Sequence, residues 1–173
     1  MSNRAVFWWV FGVTSLCLGA VVAQEPSETT ETYGSWMYRC VQPQAVQGGD
    51  TLPPKICEIN QTLSDANGSV VGTIAIGPNP DGEGLVSVFR VPQGTLLSYP
   101  VNFGTEDGEV VVQAQYFTCM NNACFARVAT SEDVVVDIAK AEQGRLLFAD
   151  RSGRVVQVLL SLSGLKAALG RLL

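Results

Sequence analysis

From residue 36 onward, apolar and polar positions alternate in short runs broken every few residues by Gly, Pro, Asn or Asp. Alternation with a period of two sends successive side chains to opposite faces of a strand, and punctuation this frequent marks an all-β sandwich or barrel. The pattern predicts strands over 36–41, 55–63, 69–76, 84–91, 95–99, 101–103, 109–118, 124–130, 145–149 and 155–162. The clearest is 109–118, where Val110, Val112, Ala114 and Tyr116 oppose Val111, Gln113, Gln115 and Phe117. In 55–63, Cys57, Ile59 and Gln61 share one face, and a buried Gln61 amide there is expected to brace the core through backbone hydrogen bonds. Trp36, Tyr38 and Tyr116 lie inside strands and are expected to pack in the core, not to form an exposed sugar-binding platform.

Two stretches change period. Over 131–141 an acidic first turn (Glu132, Asp133) follows Ser131 and Gly144 lies beyond the end, which predicts a helix; the β-branched run Val134-Val135-Val136 leaves a strand as the alternative. Over 164–173, Leu165, Ala168, Leu169 and Leu172 share one helical face, with Ser163 as the expected cap. That helix is read as lying against the sheet, the alternative being an amphipathic membrane helix.

Upstream the pattern differs. Residues 5–22 are uncharged and mostly apolar after a short start carrying Arg4, and Val21-Val22-Ala23 offers small residues for a peptidase, so residues 1–23 read as a secretory signal. Cleavage after Ala23 is expected; retention as a membrane anchor is the alternative, since about 20 apolar residues span a bilayer. Residues 24–35 carry glutamates, Ser and Thr with almost nothing apolar before Tyr33, and are expected to be a flexible tail. The folded domain is then 36–173, one domain.

Five cysteines are present: Cys17 within the apolar leader, and Cys40, Cys57, Cys119 and Cys124 beyond it. An even set in an exported domain reads as disulfides. Of the three possible pairings the sequential one is expected, because Asn121-Asn122 lies between Cys119 and Cys124 and Asn tolerates the positive φ of a tight reversal. Neither pair has the Cys-x-x-Cys spacing of a redox centre, and the interval from Cys40 to Cys57 suits a zinc site poorly.

The absence of histidine removes Ser-His-Asp and Cys-His nucleophiles and every His-ligated metal. With 16 Asp and Glu against 11 Lys and Arg the chain is acidic, and its basic residues are scattered, which disfavours nucleic acid. The acidic turns at 61–65, 81–83 and 106–107 lack the alternating oxygen spacing of a calcium loop and read as solvated turns. Carboxylate chemistry survives this elimination, so a Glu/Asp hydrolase stays open beside a non-catalytic module.

Read in order, Trp36-x-x-x-Cys40, Lys55-Ile-Cys57-Glu-Ile-Asn-Gln61, Val91-Pro-Gln-Gly94, Cys119-x-x-x-x-Cys124-Phe-Ala126 and Leu160-Ser-Leu-Ser-Gly-Leu165-Lys-Ala-Ala168 resemble the invasion-associated locus B family. The resemblance spans about 36–172 and departs from the usual pattern in the long Pro/Gly-rich loop before Cys57 and at Ser163-Gly164-Leu165, where an aromatic commonly follows the glycine. It implies an exported, immunoglobulin-like β-sandwich of proteobacteria, with founding members linked to host-cell invasion and no catalytic residues to carry over. The expectation is therefore a periplasmic or secreted, disulfide-stabilised binding or structural module. Catalytic, cofactor and metal residues are expected to be none, and the partner an unknown protein, envelope or host component. A periplasmic inhibitor or chaperone-like factor is a further alternative, and membrane contact is expected only through an uncleaved signal segment.

Overall fold

The computed structural model describes residues 28–43, 53–65 and 67–173; the expected signal segment 1–23 lies outside them. Ten strands and two helices follow in the order β1 Glu28–Tyr33, β2 Trp36–Val41, β3 Ile56–Ser64, β4 Val70–Pro78, β5 Leu85–Pro92, β6 Val101–Thr105, β7 Val111–Met120, β8 Ala123–Thr130, α1 Glu132–Ile138, β9 Gln143–Ala149, β10 Val155–Ser161 and α2 Leu165–Leu172. Each pairing is antiparallel, and the strands join in one sheet ordered β1-β2-β3-β4-β5-β8-β7-β6-β9-β10. The class is all-β with two short helices, the second C-terminal, as the alternation predicts.

One hydrogen-bonded sheet, not two separate ones, supplies both layers. Strands lie about 4.8 Å apart, so β4 and β9, five places apart, would be far separated in a flat sheet. Yet a Cβ placed on Gly72 of β4 would meet Leu146 of β9 at 3.2 Å, and the Phe89 ring of β5 lies 5.6 Å from that of Phe103 on β6. The sheet therefore curls until its inner faces meet. Trp36, Ile59, Ile74, Ile76, Phe89 and Leu146 are fully buried between them. At the seam Trp36 Nε1 and Gln61 Nε2 both donate to the Ser161 carbonyl of β10, at 3.3 and 3.2 Å, which is the backbone-bracing role expected of Gln61.

Three expectations are corrected. The segment 24–35, read as a flexible tail, forms β1 over Glu28–Tyr33 in register with β2. Its threonines suit a strand, and its inner side is held by α2: Arg171 binds Glu31 at 3.1 Å while its guanidinium lies 5.2 Å from the Tyr38 ring centroid. The partner is at the far end of the chain, beyond the reach of a local reading. Residues 95–99 are not a strand: Thr95 makes an isolated bridge to Asp150, Leu96 N–H donates to the Ala149 carbonyl at 2.8 Å, and a turn then closes from Tyr99 to Leu96 ahead of Pro100. Finally, Gly164, not Ser163, caps α2, at φ 91°. A side chain at Gly164 would overlap the Tyr33 carbonyl, so the β1–β2 turn and the start of α2 touch backbone to backbone. The Ser131 side chain likewise makes no cap bond to α1, although the helix forms where predicted.

Candidate functional site

The four cysteines fall in two cross-strand bonds. Cys40 of β2 faces Cys57 of β3 in register, with sulfurs 2.04 Å apart, and Cys119 of β7 faces Cys124 of β8, with sulfurs 2.08 Å apart. The second closes a hairpin whose two turn residues, Asn121 and Asn122, take φ of 50° and 61°, the twist a two-residue reversal needs. The Cys40 sulfur is buried beside the Tyr38 hydroxyl, 2.9 Å away. Cys57 is half-buried and lies at the rim of an apolar groove.

That groove, about 520 Å³, runs across the outer face of β3, β4 and β5. Its floor is made of small residues, Ala75 and Gly77, which pair in register with Val88 and Val86 of β5. Ile56, 64 % exposed, and Pro54, Pro78 and Pro80 also line the groove. An outward face is ordinarily polar where the inward face is buried, so an apolar patch lined also by prolines and the charged Lys55 and Glu58 departs from the usual pattern of an outer sheet face. Sequence reasoning did not single it out. The signal was present in 85–91, where Val86 and Val88 interrupt the expected polar outer row; which strands lie beside it required the topology.

Glu106, Asp107 and Glu142 border an open cleft of about 520 Å³, and all three are exposed. The Thr105 hydroxyl and the Glu109 N–H hold the Asp107 carboxyl below the usual carboxylate range, opposite to the raised value a general acid needs at neutral pH. At the β9–β10 tip Asp150 accepts from Ser152 and Arg154, which lowers its pKa and makes it a turn brace. Asp65 likewise closes the β3–β4 turn through the Asn67 and Ser69 N–H groups at 2.9 Å. Trp36 and Tyr38 are buried and Tyr116 is half-buried, so these three form no exposed platform. Burial pushes the Tyr116 phenol up to about 12, against a smaller opposing effect of the Thr95 hydroxyl. No cluster of three Cys, Asp or Glu able to hold a metal, and no helix long and apolar enough to cross a membrane, occurs among the described residues.

The family model described as Invasion associated locus B (IalB) protein matches residues 36–173. The chain belongs to the invasion associated locus B family. Within it, the chain is 27 % identical over 128 residues to "Invasion protein B" of Bartonella bacilliformis, covering 73 % of this chain. It spans 63 % of that relative's length. The crystal structure of invasion associated protein b from Bartonella henselae superposes with a TM-score of 0.66 at 25 % identity, covering 83 % of this chain and 94 % of that one. The invasion associated locus B match begins at Trp36, so β1 lies outside the matched residues while α2 lies within them. The family is named for invasion and not for a reaction.

Proposed function

We propose that this protein is an exported, non-catalytic binding module of the cell envelope, periplasmic or secreted, whose contact surface is the apolar groove on β3–β5. The observation that carries the reading is the exposed Ile56 with half-buried Val86 and Val88 around a small-residue floor, beside a disulfide that ties β2 to β3. A bonded, register-locked sheet holds such a groove without an ordering cost on binding. Two disulfides favour an oxidising compartment, and the leader 1–23 supplies the route there, cleaved after Ala23. The occupant is an apolar segment of a protein in the envelope; in bacteria that enter host cells, the family name supports a part for that contact in invasion.

The test is crosslinking in the native envelope, comparing the wild-type protein with Ile56→Asp and Val88→Asp, followed by identification of the adducts. The reading expects one protein adduct that both substitutions abolish while the disulfides stay formed. An adduct indifferent to both substitutions, or hydrolysis of envelope substrates by the purified protein, would overturn it. An adduct with a periplasmic enzyme that loses activity in the complex would identify the protein as an inhibitor acting through the same groove.

A further inference from the structure

The sheet has two ends, and they are built differently. At β1 the open edge carries Glu28 and Glu31, charges of the kind that discourage strand-to-strand association. At the other end β10 reads Val155-Val-Gln-Val-Leu-Leu-Ser161, with no charge, no proline and a strong strand-forming composition. The direction of its backbone groups is fixed by its neighbours. Leu162 N–H donates to the Glu142 carbonyl and Asp150 N–H to the Arg154 carbonyl, so even-numbered positions face β9; the Ser161 carbonyl points away, to Trp36 and Gln61. Strand alternation then turns the N–H and C=O groups of Val155, Gln157 and Leu159 away from β9. None of them pairs with a further strand on that side among the described residues. Val155 and Leu159 are each 52 % exposed.

The charges at the two ends of the β9–β10 hairpin are opposite. Its tip carries Arg151 and Arg154; Arg154 is paired with Asp150, whereas Arg151 makes no ion pair or hydrogen bond among the described residues. Its base carries Glu142, with Glu106 and Asp107 beside it: Glu106 N–H donates to the Gln143 carbonyl at 3.2 Å. A seven-residue strand separates tip from base by about 23 Å.

We propose that β10 is the dimerisation edge of this protein, pairing antiparallel with β10 of a second copy about a two-fold axis at Gln157. The strand is self-complementary in that arrangement. Gln157 faces its own equivalent, Val155 faces Leu159 of the second copy, and each such pair closes two backbone hydrogen bonds. Antiparallel pairing also brings the basic tip of each hairpin toward the acidic base of the other, Arg151 toward Glu142. A parallel or shifted pairing would lose both matches. This interface lies on different strands from the β3–β5 groove, so it stands or falls independently of the binding reading.

The test is sedimentation of the protein recovered from the periplasm of the expressing cell, over a range of concentrations and salt. A dimer is expected, weakening as salt screens the tip-to-base attraction. Gln157→Pro removes only an N–H that faces away from β9, the one setting in which an edge strand tolerates proline, and should weaken dimerisation by about tenfold or more, roughly the effect of 1.4 kcal/mol. Arg151→Glu should weaken it too, and Arg151→Glu combined with Glu142→Lys should restore it. That rescue decides the matter even where the proline variant fails to fold. A protein that is monomeric throughout, or a dimer unchanged by Gln157→Pro and by both charge changes, would overturn the proposal, whatever else the β10 edge then binds.

Discussion

At Gly164 the backbone is left-handed and the space for a side chain is already filled by the Tyr33 carbonyl, so two independent requirements meet on one residue. Gly164→Ala should cost roughly 2 kcal/mol or more in urea unfolding, because it combines backbone strain with a forced separation of α2 from the β1–β2 turn. Gly153 also has positive φ but open space around it, so Gly153→Ala is the control and should cost less. Asp150 gives a pH signature. Its folded pKa is lowered, first by the Ser152 hydroxyl and then by Arg154, so the stabilisation it contributes is present above the unfolded value near 3.9 and is lost as pH falls through the folded one. Urea midpoints of the wild type and Asp150→Asn should therefore differ at pH 7 and converge as the pH drops well below 4.

The elements show where local pattern suffices and where it needs a brace. The hairpin of β7 and β8 is written locally, by alternation, two Asn residues with positive φ and a cross-strand bond. Its irregularity is not: the register shifts between Tyr116 and Thr118, which sets Phe117 outside against Phe125 with Arg127 over its ring at 5.5 Å. The two disulfides close chain segments of different length, 17 and 5 residues in separation. Chain-entropy arithmetic gives about 3 kcal/mol for the longer and about 2 kcal/mol for the shorter. Paired Cys→Ser replacements should follow that order in urea unfolding, and non-reducing peptide mapping should recover Cys40 with Cys57 and Cys119 with Cys124. A peptide joining either of the first two to the hairpin would sink the pairing.

For the whole molecule, the curl of the sheet is held at its seam. Trp36 fills the space between β2 and β10 and ties its indole N–H to Ser161, so Trp36→Ala should cost about 3–5 kcal/mol, from lost burial and the cavity left behind. The clasp of Glu31 and Arg171 joins the first strand to the last helix from a solvent-exposed position, where ion pairs contribute little to global stability. Arg171→Ala should accordingly speed amide exchange in β1 while leaving exchange in β4 and β5 nearly unchanged, a difference that hydrogen-exchange mass spectrometry resolves.

By itself the sequence determined nine of the ten strands, β2 to β10, though it also marked 95–99, because a period of two in side-chain direction is a local property, visible in 109–118 or 55–63 without knowledge of any neighbour. It also determined the hairpin turn at Asn121-Asn122 and the amphipathic stripe of α2, and it carried the family motifs from Trp36 to Ala168. The tertiary structure alone decided which strands are neighbours, since β5 beside β8 and β6 beside β9 are pairings between residues distant in the chain. The groove of Ile56, Ala75 and Val88 and the opposite ends of the β9–β10 hairpin exist only once that order is set. It decided equally that 28–33 is a strand. A short polar segment buries too little to order itself, and β1 forms because β2 offers its backbone groups and α2 offers Arg171.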